Sequence, residues 1–227
     1  MRNTMRFVSI MFMLLAICVA ANAAEVVLQT PTNGGAHYGW NTKYGDTGYS
    51  PATDALGCGL YFGAPYGNDY TIAIFEIPIY QLAGATLTSA NLVVNSLGFD
   101  TGYYYGSAKI GWLNTGTATL TGEVIADGLG PAAKSMPGQF EIYNSDNGGA
   151  PGVHTFDVLS CIQDDLANGR AYSTYVLSGS RDTYGGISGP TTVNAPIIVA
   201  NTVPEPASLP AIAAGLIPVL FRLRRRQ

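Results

Sequence analysis

Charge is the scarcest property of this chain: only 11% of its 227 residues are Asp, Glu, Lys or Arg. With 47% hydrophobic residues and a mean hydropathy of +0.18, the composition excludes a disordered polyelectrolyte. Cations are scarcer still in the middle of the chain. Between Ala24 and Val203 only Lys43, Lys109, Lys134, Arg170 and Arg181 stand against fourteen acids. An acidic body without a basic stripe argues against nucleic acid, whose phosphates need cations to displace their counterions. Histidine is nearly absent, at His37 and His154, and neither lies in a zincin motif. There is no Gly-x-Ser-x-Gly run to present an activated serine. Nor is there a repeat of roughly 20 to 50 residues, which disfavours a solenoid or propeller.

Long apolar runs occur only at the two ends. Arg2 and Arg6 precede an apolar stretch from Phe7 to Ala20, and Ala21-Asn22-Ala23 supplies the small-x-small spacing that signal peptidase accepts. The run is shorter than the ~20 residues a bilayer span needs, so residues 1–23 read as a signal peptide cut after Ala23. At the other end Val203-Pro204-Glu205-Pro206 opens a tail, Ala207 to Phe221 is apolar apart from Ser208, and Arg222, Arg224, Arg225 and Arg226 close it. A short apolar span followed by cations is a stop-transfer pattern, holding its charged end in the cytoplasm. Motif, span and arginine cluster together resemble the PEP-CTERM sorting signal of Gram-negative bacteria. The resemblance implies that an exosortase recognises Val203 to Pro206, that residues 203–227 anchor the chain transiently in the inner membrane as an apolar helix, and that the body passes to the cell envelope or outside. It also implies a cell that makes exopolysaccharide.

What remains, residues 24–202, is long enough for one sizeable core. Its dominant period is two. Tyr70 to Ile79 sets Ala73, Phe75, Ile77 and Ile79 on one face and Ile72 and Ile74 on the other, the pattern of a central strand covered on both sides. Further strands are predicted over 25–30, 59–62, 86–97, 103–112, 117–126, 139–143, 172–177 and 193–199, each bounded by turn formers. One helix interrupts them: Asp157 caps the first turn of Val158 to Asn168, Leu159, Ile162 and Leu166 share a face, and Gly169 ends it in the left-handed conformation. The expected fold is mostly β, a single jelly-roll-like β-sandwich with one short helix.

Ala73-Ile74-Phe75-Glu76-Ile77-Pro78-Ile79 followed by Leu82 to Val94 is similar to the early strands of DNRLRE-type, or family 96 carbohydrate-binding, β-sandwich modules. Phe156 to Gln163 and Tyr175 to Ser178 resemble the late helix and closing strand of that family. The resemblance implies a sandwich fold and contact with polysaccharide. This chain departs from it in carrying Glu76 where Asp is usual, and in reducing a Trp-rich middle to Trp112.

Cys18 leaves with the signal, so the mature body holds Cys58 and Cys161. In an oxidising compartment they either pair, closing a long loop worth roughly 4 to 5 kcal/mol in the chain-entropy account, or remain two buried thiols. Catalytic constellations are lacking. His154 with Asp157 is read as a local hydrogen-bonding or solvent-facing pair rather than half a metal site, and Asp164 with Asp165 as a solvated helix face, since adjacent helical acids diverge. Asp146 to Gly149 reads as a turn, with no cofactor expected and a structural calcium left open. Aromatic side chains are the richer signal. Tyr38, Trp40, Tyr44, Tyr49, Tyr61, Tyr66 and Tyr70 crowd one glycine-rich stretch, and Tyr103 to Tyr105 form a second cluster. Flat rings suit sugar faces, and Tyr38, Trp40 and Tyr44, which Gly39 and Gly45 are expected to place in a loop, are the preferred candidates for binding exopolysaccharide. The competing expectation is a carbohydrate-active enzyme whose acids, among Glu76, Glu123, Glu141 and Asp157, converge only in the fold. A third is an inert matrix protein that associates with itself.

Overall fold

The computed structural model describes residues 24–63, 67–101, 106–114, 138–146, 150–180 and 183–203. The signal peptide with Ala21 and Ala23, the strand expected over 117–126, Tyr103 to Tyr105, Glu123 and everything after Val203, including the expected anchor helix, lie outside them. Within the described residues no helix is long and apolar enough to cross a membrane.

The strands are β1 (Ala24–Gln29), β2 (Gly35–Asn41), β3 (Gly45–Pro51), β4 (Ala55–Gly63), β5 (Gly67–Pro78), β6 (Thr86–Thr101), β7 (Ser107–Leu113), β8 (Phe140–Asn144), β9 (Gly152–Asp157), β10 (Tyr172–Gly179), β11 (Thr183–Ser188) and β12 (Ile197–Val203). One helix, α1 (Leu159–Ala167), separates β9 from β10. The fold is mostly β: an antiparallel sheet curled into a half-barrel, in the order β1-β12-β6-β11-β4-β5-β10-β7-β8. β3 joins through β2, β2 through β5, and β9 through β6.

The curl is organised by two long strands that each serve three neighbours. One edge of β5 pairs with β4 over Gly67 to Thr71 and then with β10 over Ala73 to Pro78, while its other edge pairs with β2. Where β4 leaves β5, the amide of Gly57 loses a ladder partner, and the His37 imidazole accepts it through Nε2 at 2.8 Å. A buried amide without an acceptor would cost about 1 to 3 kcal/mol, so this side chain completes a junction that backbone alone leaves open. β6 behaves similarly, pairing β12 and β11 in succession on one edge and β9 on the other.

β5 is buried on both faces, as its alternation predicts. Ala73, Phe75 and Ile77 join the main core with Leu56, Leu92, Ile110, Tyr175, Leu177 and Ile198, whereas Ile72 and Ile74 join a second cluster with Ala36, Tyr38, Leu113 and Val176. The helix closes over the main core through Val158, Cys161 and Ile162. Its ends follow the sequence reading: the Asp157 carboxylate accepts the Leu159 amide at 3.0 Å, and Gly169 has φ of +69°. Four segments differ from the expectation. β2, β3, β9 and β11 were not anticipated as strands, because three are glycine-rich and β9 is a short edge strand. β1 lies against β12 with Ala24 opposite Thr202, so the chain enters and leaves the sheet side by side.

Candidate functional site

β2 alternates His37, Gly39 and Asn41 with Tyr38 and Trp40, so the two aromatics share one face of the sheet. Tyr38 and Trp40 therefore stand on a strand rather than in the expected loop. Their fates differ. Tyr38 is 3% exposed and belongs to the second apolar cluster, which removes it from the candidate ligand set. Trp40 is partly exposed and lies directly opposite Tyr70 of β5 in the ladder. The two rings stack with centroids 4.8 Å apart and planes within 4° of parallel. Stacked cross-strand aromatics are worth about 0.5 to 1.5 kcal/mol beyond their buried area, so this pair is a rigid step rather than two mobile side chains.

Polar groups crowd the same end of the sheet. Asn41, next along β2, donates through Nδ2 to Oδ1 of Asp69 at 2.6 Å, and its own Oδ1 accepts the amides of Lys43 and Tyr44 at 2.7 and 3.1 Å. One asparagine thus fastens the β2–β3 turn to β5. Thr42 adds a second fastening, its Oγ1 accepting the Asn68 amide at 2.8 Å. Gly45, with φ of +86°, lets the chain reverse into β3. Tyr44 sits on that turn, 66% exposed, with the Lys43 ammonium 5.3 Å from its ring centroid. Of the three aromatics expected to bind sugar, Trp40 and Tyr44 remain accessible, and Tyr70 takes the place of Tyr38.

Comparison with known proteins adds no family to this geometry. No family model matches the chain, and no curated protein matches it either.

The three described acids of the enzyme reading, Glu76, Glu141 and Asp157, are engaged where they stand. Glu76 is fully buried and accepts the Thr174 hydroxyl at 3.0 Å, Glu141 pairs with Lys109 at 3.7 Å, and Asp157 caps α1. Of the two helix acids expected on a solvated face, Asp164 stays 44% exposed while Asp165 does not. Asp165 is 1% exposed, because it falls on the inward stripe of α1 with Val158, Cys161 and Ile162. It accepts Nε1 of Trp112 at 3.0 Å and a guanidinium N–H of Arg170 at 2.7 Å. Arg170 also reaches Asp164 at 2.8 Å and Asn114, and its guanidinium lies 5.9 Å from the Trp112 ring. Desolvation works against the Arg170 charge, but the bonds and charges of Asp165 and Asp164 outweigh it and hold the guanidinium protonated. Burial raises the Asp165 carboxyl above its ordinary range, with bonds from Ser173, Arg170 and Trp112 opposing. The cluster is a structural lock between α1, β7 and β10, and Trp112 belongs to it as well as packing on the core.

Cys58 and Cys161 are both buried free thiols. Burial pushes the Cys58 thiol up to about 12 and raises Cys161 as well, which leaves neither as a nucleophile near neutrality. Two depressions accompany these features among the described residues. One, of about 360 Å³, is lined by His37, Ser50, Gly57, Cys58, Gly59 and Thr71. The other, of about 490 Å³, is lined by Gly106, Ser107, Asn144, Ser145, Asp146 and Ser180. Asp146 forms part of the expected turn, its amide bonded to Asn144 Oδ1 at 3.1 Å. Among the described residues no three His, Cys, Asp or Glu side chains come together as a metal site. His154 instead lies against Phe156, with ring centroids 6.3 Å apart.

Proposed function

We propose that this chain is a non-enzymatic, exported envelope or extracellular-matrix component that adheres to exopolysaccharide through the aromatic step on β2 and β5. The observation that carries the reading is the parallel, partly exposed Trp40–Tyr70 pair. Rings offer the apolar C–H face of a pyranose a flat support. The local engagement of Glu76, Glu141 and Asp157 supports binding over hydrolysis. Export, transient anchoring in the inner membrane and handling by signal peptidase and an exosortase rest on the sequence of the two ends. The finer architecture belongs to the same proposal: the half-barrel closes as a jelly-roll-like sandwich, supported by a main core that draws on β1, β4 to β8 and β10 to β12 together.

The test is retention of the full chain, purified in mild detergent, on the producing cell's exopolysaccharide. Wild type binds, and Trp40→Ala and Tyr70→Ala each weaken binding about tenfold or more while near-ultraviolet circular dichroism stays native. Equal binding by both variants refutes the assigned face. A folded wild type that does not bind refutes adhesion.

A further inference from the structure

β4 parts from β5 at the Gly59–Thr71 rung of their ladder, and β10 takes over that edge of β5 from Ala73 onward. Toward Ala55, β4 keeps β11 on its far edge, and β2 and β4 share no ladder among the described residues. A side chain crosses the seam between them: the Gly57 amide donates to Nε2 of His37 at 2.8 Å. His37 is partly buried, and the same seam is the depression of about 360 Å³ that Ser50, Thr71, Gly59 and Cys58 line with it. Cys58 is 5% exposed. We propose that the His37–Gly57 bond is an acid-released latch, which holds β4 against β2 while the imidazole is neutral and lets the seam part, uncovering Cys58, once the ring is protonated.

An imidazole that accepts through Nε2 carries its one ring proton on Nδ1, so the bond itself fixes the neutral tautomer. A second proton turns Nε2 into a donor facing another donor, the Gly57 N–H, and adds a charge that the closed seam solvates poorly. Burial, not a neighbouring charge, holds the His37 imidazole below its ordinary value of 6.5. β3 faces the ring with Ser50, β5 with Ala73 and Thr71, and β4 with Gly57, Cys58 and Gly59. Of these Cys58 alone titrates, and burial pushes its thiol up to about 12, so it stays neutral throughout the acid range. Asp69, on the same face of β5, lies about 13 Å along the strand from Ala73 and is bonded to Asn41. An open seam rehydrates the ring and returns it to its ordinary value, so opening and protonation favour each other. The open population is therefore constant above pH 6.5, rises as the pH falls through it, and levels off below the value of the closed form.

The experiment labels the full chain with dithiodipyridine, a thiol reagent that works in acid, from about pH 7.5 to about pH 4.5, and resolves Cys58 from Cys161 by peptide mass. Each rate is divided by that of the urea-unfolded chain at the same pH, which removes the intrinsic dependence of thiol and reagent. Cys58 labelling is expected to rise severalfold, beginning as the pH falls through 6.5 and reaching a plateau, while Cys161, on the inward face of α1, stays slow. His37→Gln, whose side-chain carbonyl accepts the Gly57 amide at every pH, is expected to keep Cys58 slow throughout. Hydrogen exchange at the Gly57 amide of the wild type, corrected for its intrinsic rate, gains the same factor over the same range and needs no variant. Cys58 labelling and Gly57 exchange that stay flat with pH overturn the latch, as does an undiminished rise in folded His37→Gln. Equal acceleration of both cysteines overturns it too, since the chain is then unfolding as a whole instead of opening at the seam.

Discussion

Removing the Arg170 guanidinium is the most demanding perturbation this fold offers. Arg170→Ala leaves Asp165, 1% exposed, with only Trp112 and Ser173 as donors. Breaking a buried ion pair from one side costs about 3 to 5 kcal/mol, since the abandoned charge stays desolvated. The partnership with Asp164 adds little, because that carboxylate is 44% exposed and solvent-facing pairs are worth about 0 to 1 kcal/mol. Against a domain stability of about 5 to 15 kcal/mol, the variant therefore loses about a fifth or more of its margin. The pH dependence separates charge from packing. The folded Asp165 carboxyl already lies above its ordinary range, so the native state binds more protons than the unfolded chain between the two values, and stability falls as pH rises through that window. Without Arg170 the folded value climbs further and the window widens. The deficit relative to wild type, followed by urea unfolding with tryptophan fluorescence, should be largest near pH 7 and shrink toward pH 4. A loss below about 1 kcal/mol, or one that is constant with pH, refutes the electrostatic account.

Three further outcomes are expected. Burial lowers the His37 imidazole below its ordinary value of 6.5, so stability is fully present above that pH and is lost as the pH falls toward the folded value; His37→Gln should flatten this slope in denaturant titrations between pH 7 and 5. A Cβ at Gly189 would lie 2.1 Å from the Thr53 carbonyl oxygen and 2.6 Å from the Ala55 nitrogen, both backbone, so Gly189→Ala should cost about 1 to 3 kcal/mol in thermal unfolding, while Gly152→Ala, which meets nothing within 4 Å, should stay near wild type. Cys58 and Cys161, buried and raised in pKa, should resist thiol reagents at pH 8 in the native state and react without added reductant on unfolding; prompt native labelling, or none after unfolding, would contradict the thiol assignment.

Where the local pattern decides structure, the sequence was easy to read. β5 shows both of its apolar faces in one ten-residue run, and α1 shows its cap, its stripe and its terminal glycine within a dozen positions. β2 and β3 were hidden, because their glycines read as loop while β2 owes its strand character to pairing with β5 some 35 residues away and β3 to pairing with β2. The same distance concealed the site. Trp40 and Tyr70 were both visible as aromatics, but only the ladder register makes them a stack. Tyr38 was misjudged for the converse reason: alternation alone places it beside Trp40, and the cluster with Ile72, Ile74 and Val176 buries it. Asp165 carried a usable signal, since it falls at helical spacing from Val158, Cys161 and Ile162, and Arg170 follows just past the glycine that ends the helix.

The neighbouring entry and exit of the chain at Ala24 and Val203 has a mechanical meaning. A pull that separates those two points loads the hydrogen bonds between β1 and β12 one at a time, as a zipper opens, because antiparallel partners are being parted from their common end. Rupture then needs little force at any instant. A body of this kind is a poor link when strung between its own ends, and a better one when tension enters at one terminus and leaves through a ligand held on β2 and β5, so that the load crosses the sheet instead of peeling its edge.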